Sequence, residues 1–374
     1  MKVATFFTWD YSLKSWLDSK TIERELKFFK HLEKNKNISF SFFTYGNNED
    51  TKIAHEYRLK SVYPIFERKR FFKNRLIRLI FSLFIPNSYK KEIIDCDVIF
   101  QNQLLGCWVP IVAKYLYKKP LIVRTGYNML DFAKQDAKSK IIIIFYKMCT
   151  IAALKFSDLF TVTSKSDLNF FSSNYPKYKN KLIYRPNWVD LHQNISLKNR
   201  SKNKLLSVGR LENQKNYTYL IKEFKNTNDW LQIDIVGSGS KSKELKDLAK
   251  KQNVHVNFLG NLKNEELFKI YKNYMFYVST SLFEGNPKTV LEAMSSGCVV
   301  LLSNIPNHEE LIENNLSGIL FDLNKNELKI KFNQIFEDPS LINKLSKNAV
   351  DEIQKNNSLE NSANLFLSDF EYLT

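Results

Sequence analysis

The sequence predicts an α/β protein built from two parallel sheets, each covered by helices on both faces. Three observations predict it. At 374 residues the chain is too long for one ordinary core and comfortable for two. Short apolar runs alternate with longer helical patterns along its whole length, the signature of parallel strands joined by helical crossovers. A polar stretch near residue 195 interrupts that alternation once.

In the first half, strands are expected at Val3–Phe7, Ile38–Phe43, Val98–Phe100, Leu121–Val123, Leu159–Val162 and Leu182–Tyr184. Ser15–Glu33, Leu104–Tyr117 and Lys138–Phe156 suit helices. The apolar run Ile141–Phe160, broken by Lys147 and Lys155, reads as a buried helix leading into the next strand, not as a membrane span. In the second half strands are expected at Leu205–Val208, Leu231–Val236, Val254–Leu259, Met275–Ser279, Cys298–Leu302 and Ile319–Phe321. The domains so defined are 1–195, 196–355 and a closing segment, 356–374, with the spacing of an amphipathic helix. Ligands of such sheets bind at the carboxyl ends of the strands.

The four cysteines, Cys96, Cys107, Cys149 and Cys298, have no pairing or metal-ligand spacing and read as reduced core residues of a cytosolic protein. The first ten residues read as a strand instead of a signal peptide. Net charge is +17, and its distribution matters more than its size. Residues 1–195 hold 33 Lys and Arg against 17 Asp and Glu, whereas the remainder is nearly neutral, 23 against 22. A compositional bias toward lysine would act on both halves, so the asymmetry is a signal of an anionic partner. Phe66–Lys91 carries much of it: Arg68, Lys69, Arg70, Lys73, Arg75 and Arg78 are interleaved with Phe71, Phe72, Leu76, Ile77, Leu79, Ile80, Phe81, Leu83 and Phe84. The stretch is too short to cross a bilayer and suits a helix lying in an anionic membrane surface; an ordinary domain helix with a basic outer face is the alternative.

The chemistry is concentrated in Ser281–Gly297. Asn286 is a candidate cap for a helix starting at Pro287, and Gly297 suits the left-handed residue that ends it. Glu284 precedes that helix and Glu292 lies within it, so two carboxylates flank a helix N-terminus. The free amides and positive dipole end of such a terminus suit a phosphate, and carboxylates suit sugar hydroxyls. Upstream, Gly209-Arg210 and Lys215 follow an apolar strand and place two cations at its end, and Gly237-Ser238-Gly239 forms a glycine turn after the next strand. Val256–Gly260 follows in turn.

Taken in this order, Gly209-Arg210…Lys215-Asn216, Gly237-Ser-Gly239, Leu259-Gly260 and Glu284-Gly-Asn286-Pro-Lys288…Leu-Glu292-Ala-Met…Gly297 resemble the donor-site signature of the retaining glycosyltransferases of family 4. The resemblance implies a GT-B fold, two Rossmann-like doubly wound domains facing across a cleft, with the last helix crossing back to the first domain. It implies that Arg210 and Lys215 grip the donor diphosphate and that Glu284 contacts the donor sugar. It places Glu292 at the ribose, the backbone near Leu259 at the base, and the amides of Asn286, Lys288 and Thr289 at sugar and phosphate. Gly209, Gly237 and Gly239 would let the backbone approach the nucleotide. The expected reaction is transfer of a sugar with retention from a nucleoside-diphosphate sugar, UDP favoured and GDP possible, to a hydroxyl of a glycan or lipid-linked acceptor in bacterial surface polysaccharide synthesis. No cofactor and no divalent metal is expected, because no Asp-x-Asp lies in a suitable loop and protein cations replace it. Nucleic acid is not an expected partner, and the place of action is the cytoplasm, peripheral on the inner membrane face.

The first half departs from the family pattern. Thr8-Trp9-Asp10-Tyr11-Ser12 stands where many relatives have a glycine-rich loop, and Arg124-Thr125-Gly126-Tyr127-Asn128 where many carry a histidine. Arg124, Asn128 and Asp131 are candidates for acceptor-side chemistry or for closing a loop. A nucleotide-sugar epimerase on the same scaffold gives no reason for both Glu284 and Glu292, and a non-catalytic basic module that binds membrane or nucleic acid leaves the second half's motifs unused.

Overall fold

The computed structural model describes residues 1–69, 71–192, 195–227 and 229–374. The chain forms two compact units, Met1–Arg185 with Ala363–Thr374, and Pro186–Ser362.

The first unit holds seven parallel strands: β1 Lys2–Phe6, β2 Ser39–Thr44, β3 Val62–Pro64, β4 Val98–Asn102, β5 Leu121–Thr125, β6 Leu159–Val162 and β7 Leu182–Tyr184. They lie in the order β3-β2-β1-β4-β5-β6-β7. The unpredicted β3 has three residues and ends in Pro64, which cannot donate to a ladder and is tolerated because β3 is an edge strand. The expected helix Ser15–Glu33 is two, Leu13–Asp18 and Ile22–Lys36, separated where Lys20 takes a left-handed φ of 59°. Within this unit the chain's last helix packs Phe366 against Phe28 and Phe100, and Arg185 holds Asp369 through two hydrogen bonds of 2.7 and 2.5 Å.

The second unit holds six parallel strands: β8 Ser201–Val208, β9 Gln232–Val236, β10 His255–Gly260, β11 Tyr274–Ser279, β12 Val299–Ser303 and β13 Ile319–Phe321. Their order is β10-β9-β8-β11-β12-β13. Strand order therefore reverses between β8 and β11, and in the first unit between β1 and β4. Those are the points at which such sheets open a crevice at their carboxyl ends.

Three expectations are corrected. The units divide after Arg185 instead of near 195, because Asn187 bonds to Asn286 and Asn357, and the Val189 amide donates to the Asn357 carbonyl, fastening this segment to the second unit. The helix Lys140–Phe156 is not buried: only Cys149, Thr150, Ala153 and Leu154 face the interior, while Ile141, Ile144 and Met148 are exposed. Phe66–Lys91 is not one helix but short pieces, Ile65–Arg68, Arg75–Ser82, Ile85–Ser88 and Lys90–Ile94, with breaks at residues 83–84 and at Tyr89, which caps the last. Arg70 of that stretch lies outside the described residues. Among the described residues no helix is long and apolar enough to cross a membrane.

Candidate active site

The second unit gathers its polar residues at the β8–β11 crevice. After β8 the chain turns through Gly209 and Arg210 into a short 3-10 turn, Asn213–Lys215, and the left-handed Asn216, φ 49°, starts the next helix. Lys215 folds back across Gly209 so closely that a Cβ there would lie 2.7 Å from its Cε. Gly237, with φ 140°, sits under the Gly209 carbonyl; a Cβ would come within 2.0 Å of that oxygen. The glycines thus let the ends of β8 and β9 stack, and Gly239 is packed on the Leu211 backbone in the same way. Glu212 receives the Ser240 amide and hydroxyl at 2.8 and 2.7 Å and holds the glycine turn.

From β11, Ser281 and Glu284 enter the same crevice. The Glu284 carboxylate is 8% exposed and accepts from Lys215 Nζ at 2.5 Å, from Ser281 Oγ at 2.7 Å and from Gln214 Nε2 at 3.3 Å. Burial alone would raise its pKa, but the Lys215 charge and the hydrogen bonds from Lys215 and Ser281 reverse the sign and hold it below the usual carboxylate range. Arg210 is exposed and donates to Gln214 Oε1 at 3.3 Å, so Gln214 links it to Glu284. His308 is completely buried. Its Nδ1 lies 2.9 Å from the Ser303 carbonyl and its Nε2 has no hydrogen-bond partner. Burial pushes the ring down to about 4, so it is neutral, with Nδ1–H donating. Gln214 and His308 were not singled out from the sequence. Gln214 stands inside the Arg210–Lys215 motif and could have been found there; nothing local marks His308.

The helix that follows is Lys288–Ser295, one residue shorter at its start than expected. Asn286 does not cap it, and Pro287 holds the cap position. The Asn286 side chain instead accepts from the Asn187 amide at 3.1 Å, while its carbonyl accepts from Asn187 Nδ2 at 2.7 Å. Gly297 ends the helix as expected, with φ 78°. Glu292 is 1% exposed beneath the helix and accepts from the Tyr271 hydroxyl at 3.3 Å. Thr289 Oγ1 receives the Tyr277 hydroxyl at 3.2 Å, and Lys288 Nζ stands 5.6 Å from the Trp188 ring centre. Leu259, at the end of β10, is half exposed in an open depression with Lys246, His255 and Asn257. The structure therefore brings Gly209, Arg210, Lys215 and Glu284 into one cluster, while Glu292 lies beneath its own helix and Leu259 in that depression. Such a cluster can receive an anionic group at its cations and orient a hydroxyl at its carboxylate.

The candidate acceptor-side residues of the first unit lie at and after the end of β5. Asn128 caps the helix Met129–Gln135 by accepting from the Asp131 amide at 3.2 Å, and Asp131 in turn accepts from Gln135, so both close a loop. Asp167, missed from the sequence, is buried at the start of the helix after β6. Burial is the main cause that raises its pKa to about 6, and its Oδ2 has no partner. Arg78 is buried in an ion pair with Asp10 at 2.6 Å and Arg68 pairs with Glu92 at 2.6 Å, so these two belong to the unit's own framework. An apolar cavity of about 170 Å³ lies against Arg78, walled by Trp9, Tyr45, Phe66, Phe72 and Phe81. Among the described residues no cluster of three His, Cys, Asp or Glu is placed to hold a metal ion.

Residues 189–352 match the family model described as glycosyl transferases group 1. An uncharacterized glycosyltransferase of Methanocaldococcus jannaschii is 30% identical over 190 residues, 46% of this chain and 45% of the relative. UDP-Gal:α-D-GlcNAc-diphosphoundecaprenol α-1,3-galactosyltransferase of Escherichia coli is 28% identical over 260 residues, 65% of this chain and 66% of the relative. The matches thus span between less than half and about two thirds of these relatives' lengths. The crystal structure of Anabaena HepE in complex with UDP and glucose superposes over the full length of both chains with a TM-score of 0.75 at 15% identity, which shows the shared GT-B fold.

Proposed function

We propose that the chain, whose residues 189–352 match the model described as glycosyl transferases group 1, transfers a sugar, with retention, from a nucleoside-diphosphate sugar to a hydroxyl of a lipid-linked or free glycan, as the family 4 enzymes it resembles do. The observation that carries the proposal is the Lys215–Glu284 pair with Arg210 at the β8–β11 crevice. Cleavage of a sugar–phosphate bond leaves a diphosphate with added negative charge. Arg210 and Lys215 stand ready to stabilise it, a contribution typically worth about 10²- to 10³-fold in rate for one such group. Lys215 has three donors and gives one to Glu284, so it can meet a phosphate without releasing the carboxylate. Glu284, kept ionised, accepts hydrogen bonds from sugar hydroxyls, and the amides of Lys288 and Thr289 open the helix toward the phosphates. With two protein cations in this position the reaction proceeds without a divalent metal.

UDP is the favoured donor nucleotide; it is named in the Escherichia coli relative's donor and bound in the Anabaena structure. The same relative acts on a diphosphoundecaprenol-linked sugar, which supports a lipid-linked acceptor in surface polysaccharide synthesis. The basic first half would bring the chain to the inner membrane face through Phe66–Lys91, where such an acceptor resides.

Thermal unfolding with UDP, GDP, ADP and CDP, with and without EDTA, tests the donor reading. A ligand at 100 times its dissociation constant stabilises by about 2.7 kcal/mol. The expected result is a shift with UDP that EDTA leaves intact and that Arg210→Ala abolishes. Absence of a shift with every nucleotide would overturn the proposal.

A further inference from the structure

The helix Arg75–Ser82 is inside out. Its buried residues are Arg78 and Ser82, one turn apart on one face, while Leu76 and Ile80 on the other are 71% and 59% exposed, and Phe84 continues the apolar stripe beyond its end. A helix in water turns its apolar face inward; this one turns it outward and keeps its arginine inside, bound to Asp10 and to the Phe72 carbonyl. The helix Lys140–Phe156 has the same character. Ile141, Ile144 and Met148 share one face and are exposed, with Ile141 at 80% and Met148 at 64%. Trp108 joins the two: its indole N–H donates to Ser82 Oγ at 2.8 Å, and its ring packs on Phe145 with centroids 5.9 Å apart. Both helices therefore touch one partly exposed tryptophan, and their outward apolar faces make up a surface on either side of it.

We infer that this surface is a two-helix wedge that enters the acyl region of an anionic membrane, with Lys140–Phe156 inserting beside Arg75–Ser82. The inference rests on the membrane reading of the basic first half and extends it from charge attraction at one stretch to apolar insertion of two helices. Charge selects the occupant. Exposed Lys73 and Arg75 border the first face, and Lys138, Lys140 and Lys147 border the second. A second copy of the chain would set these cations against their own kind, whereas anionic headgroups would neutralise them while the apolar faces sink below. Seventeen residues with Lys147 at the middle cannot cross a bilayer, which needs about 20, but can lie in its surface.

Flotation with phosphatidylglycerol–phosphatidylcholine vesicles tests the wedge, using the full chain and the triple variant Ile141→Ser, Ile144→Ser, Met148→Ser. These residues are each more than half exposed, so unfolding temperature should change little. Vesicle affinity should fall by about tenfold or more, as expected from apolar area that lipid no longer covers. A second measurement separates insertion from adsorption. All four native cysteines are buried, so a single Ile144→Cys substitution can carry an environment-sensitive dye, whose emission should shift to the blue with anionic vesicles and not with pure phosphatidylcholine. The inference is overturned if the chain does not float, if the triple variant floats as well as the parent, if the dye does not shift, or if the variant abolishes a dimer. The UDP-induced shift in unfolding temperature is read on the same samples, so failure of the glycosyltransferase reading and failure of the wedge are separate outcomes.

Discussion

Both units place a strand-order reversal beside a loop that could bind a ligand, and the two reversals are built from different chemistry. At β1–β4 the strand ends are joined by neutral groups, since the Trp9 amide donates to the Leu105 carbonyl at 3.0 Å and buried Gln101 donates to the carbonyls of Phe7, Gln103 and Leu105, and the neighbouring Asp10 is spent on a buried ion pair with Arg78. At β8–β11 the bridge is ionic, Lys215 to Glu284, with Gln214 relaying to an exposed Arg210. One topology, repeated, yields a framework joint in the first unit and a charged crevice in the second. The fold marks where chemistry can sit, and the side chains decide whether it does.

The largest test of that contrast separates the two cations. Lys215→Ala leaves Glu284 charged and buried without its partner, a change that typically costs about 3–5 kcal/mol. Arg210→Ala removes an exposed side chain with one long hydrogen bond and should alter stability by less than about 0.5 kcal/mol, while still abolishing the UDP shift. Combining Lys215→Ala with Glu284→Gln removes both charges and should recover much of the loss. Denaturant midpoints of the three variants decide it; a Lys215→Ala variant as stable as the parent would mean that the pair does not hold the crevice.

A second test uses pH, because the two units carry buried groups shifted in opposite senses. Asp167 in the first unit titrates near 6 instead of 3.8, so it favours the folded state below pH 3.8 and loses that contribution as pH rises through 6. His308 in the second unit titrates near 4 instead of 6.5, so its contribution is present above pH 6.5 and is lost as pH falls through 4. Glu284, held below its ordinary range, likewise contributes above that range and loses it in acid. Each of the first two shifts corresponds to a few kcal/mol at about 1.4 kcal/mol per pKa unit. Between pH 4 and 6 they oppose, and stability should vary little. Asp167→Asn should make the acid loss over that window steeper, and His308→Gln should turn it into a gain. Equal pH profiles for both variants would show that neither group is buried as described.

Much of this architecture was legible in the sequence because parallel strands are apolar and short. Among the described residues twelve of the thirteen strands lie where apolar runs predict them, and Val62–Pro64, a three-residue edge, escaped. The cluster at β8–β11 was legible too, since Gly209, Arg210, Lys215 and Glu284 stand in short motifs. What sequence could not give is which face of an apolar helix looks inward. Ile141–Phe156 is apolar nearly all round, a pattern that ordinarily means burial, and its exposure depends on which residues the sheet covers. His308 and Asp167 were missed for a related reason: burial, not spacing, gives each its altered pKa.

The smallest test concerns two asparagines that read alike in sequence, each just ahead of a helix. Asn128 in the first unit accepts the Asp131 amide and is a true cap. Asn286 in the second accepts instead from the Asn187 amide, outside its helix, and leaves the cap position to Pro287. Asn128→Ala should cost about 1 kcal/mol, and Asn128→Ser should restore most of it, since a serine hydroxyl caps nearly as well. Asn286→Ala should cost a similar amount through the lost bond to Asn187. Here Asn286→Ser should not rescue, because its shorter side chain falls short of that amide and Pro287 already occupies the cap. Denaturant midpoints of the four variants measure the difference. Rescue at 286 equal to that at 128 would mean that Asn286 does cap its helix, and that the second unit's site opens on an ordinary helix start instead of one tied to the segment Asn187–Val189.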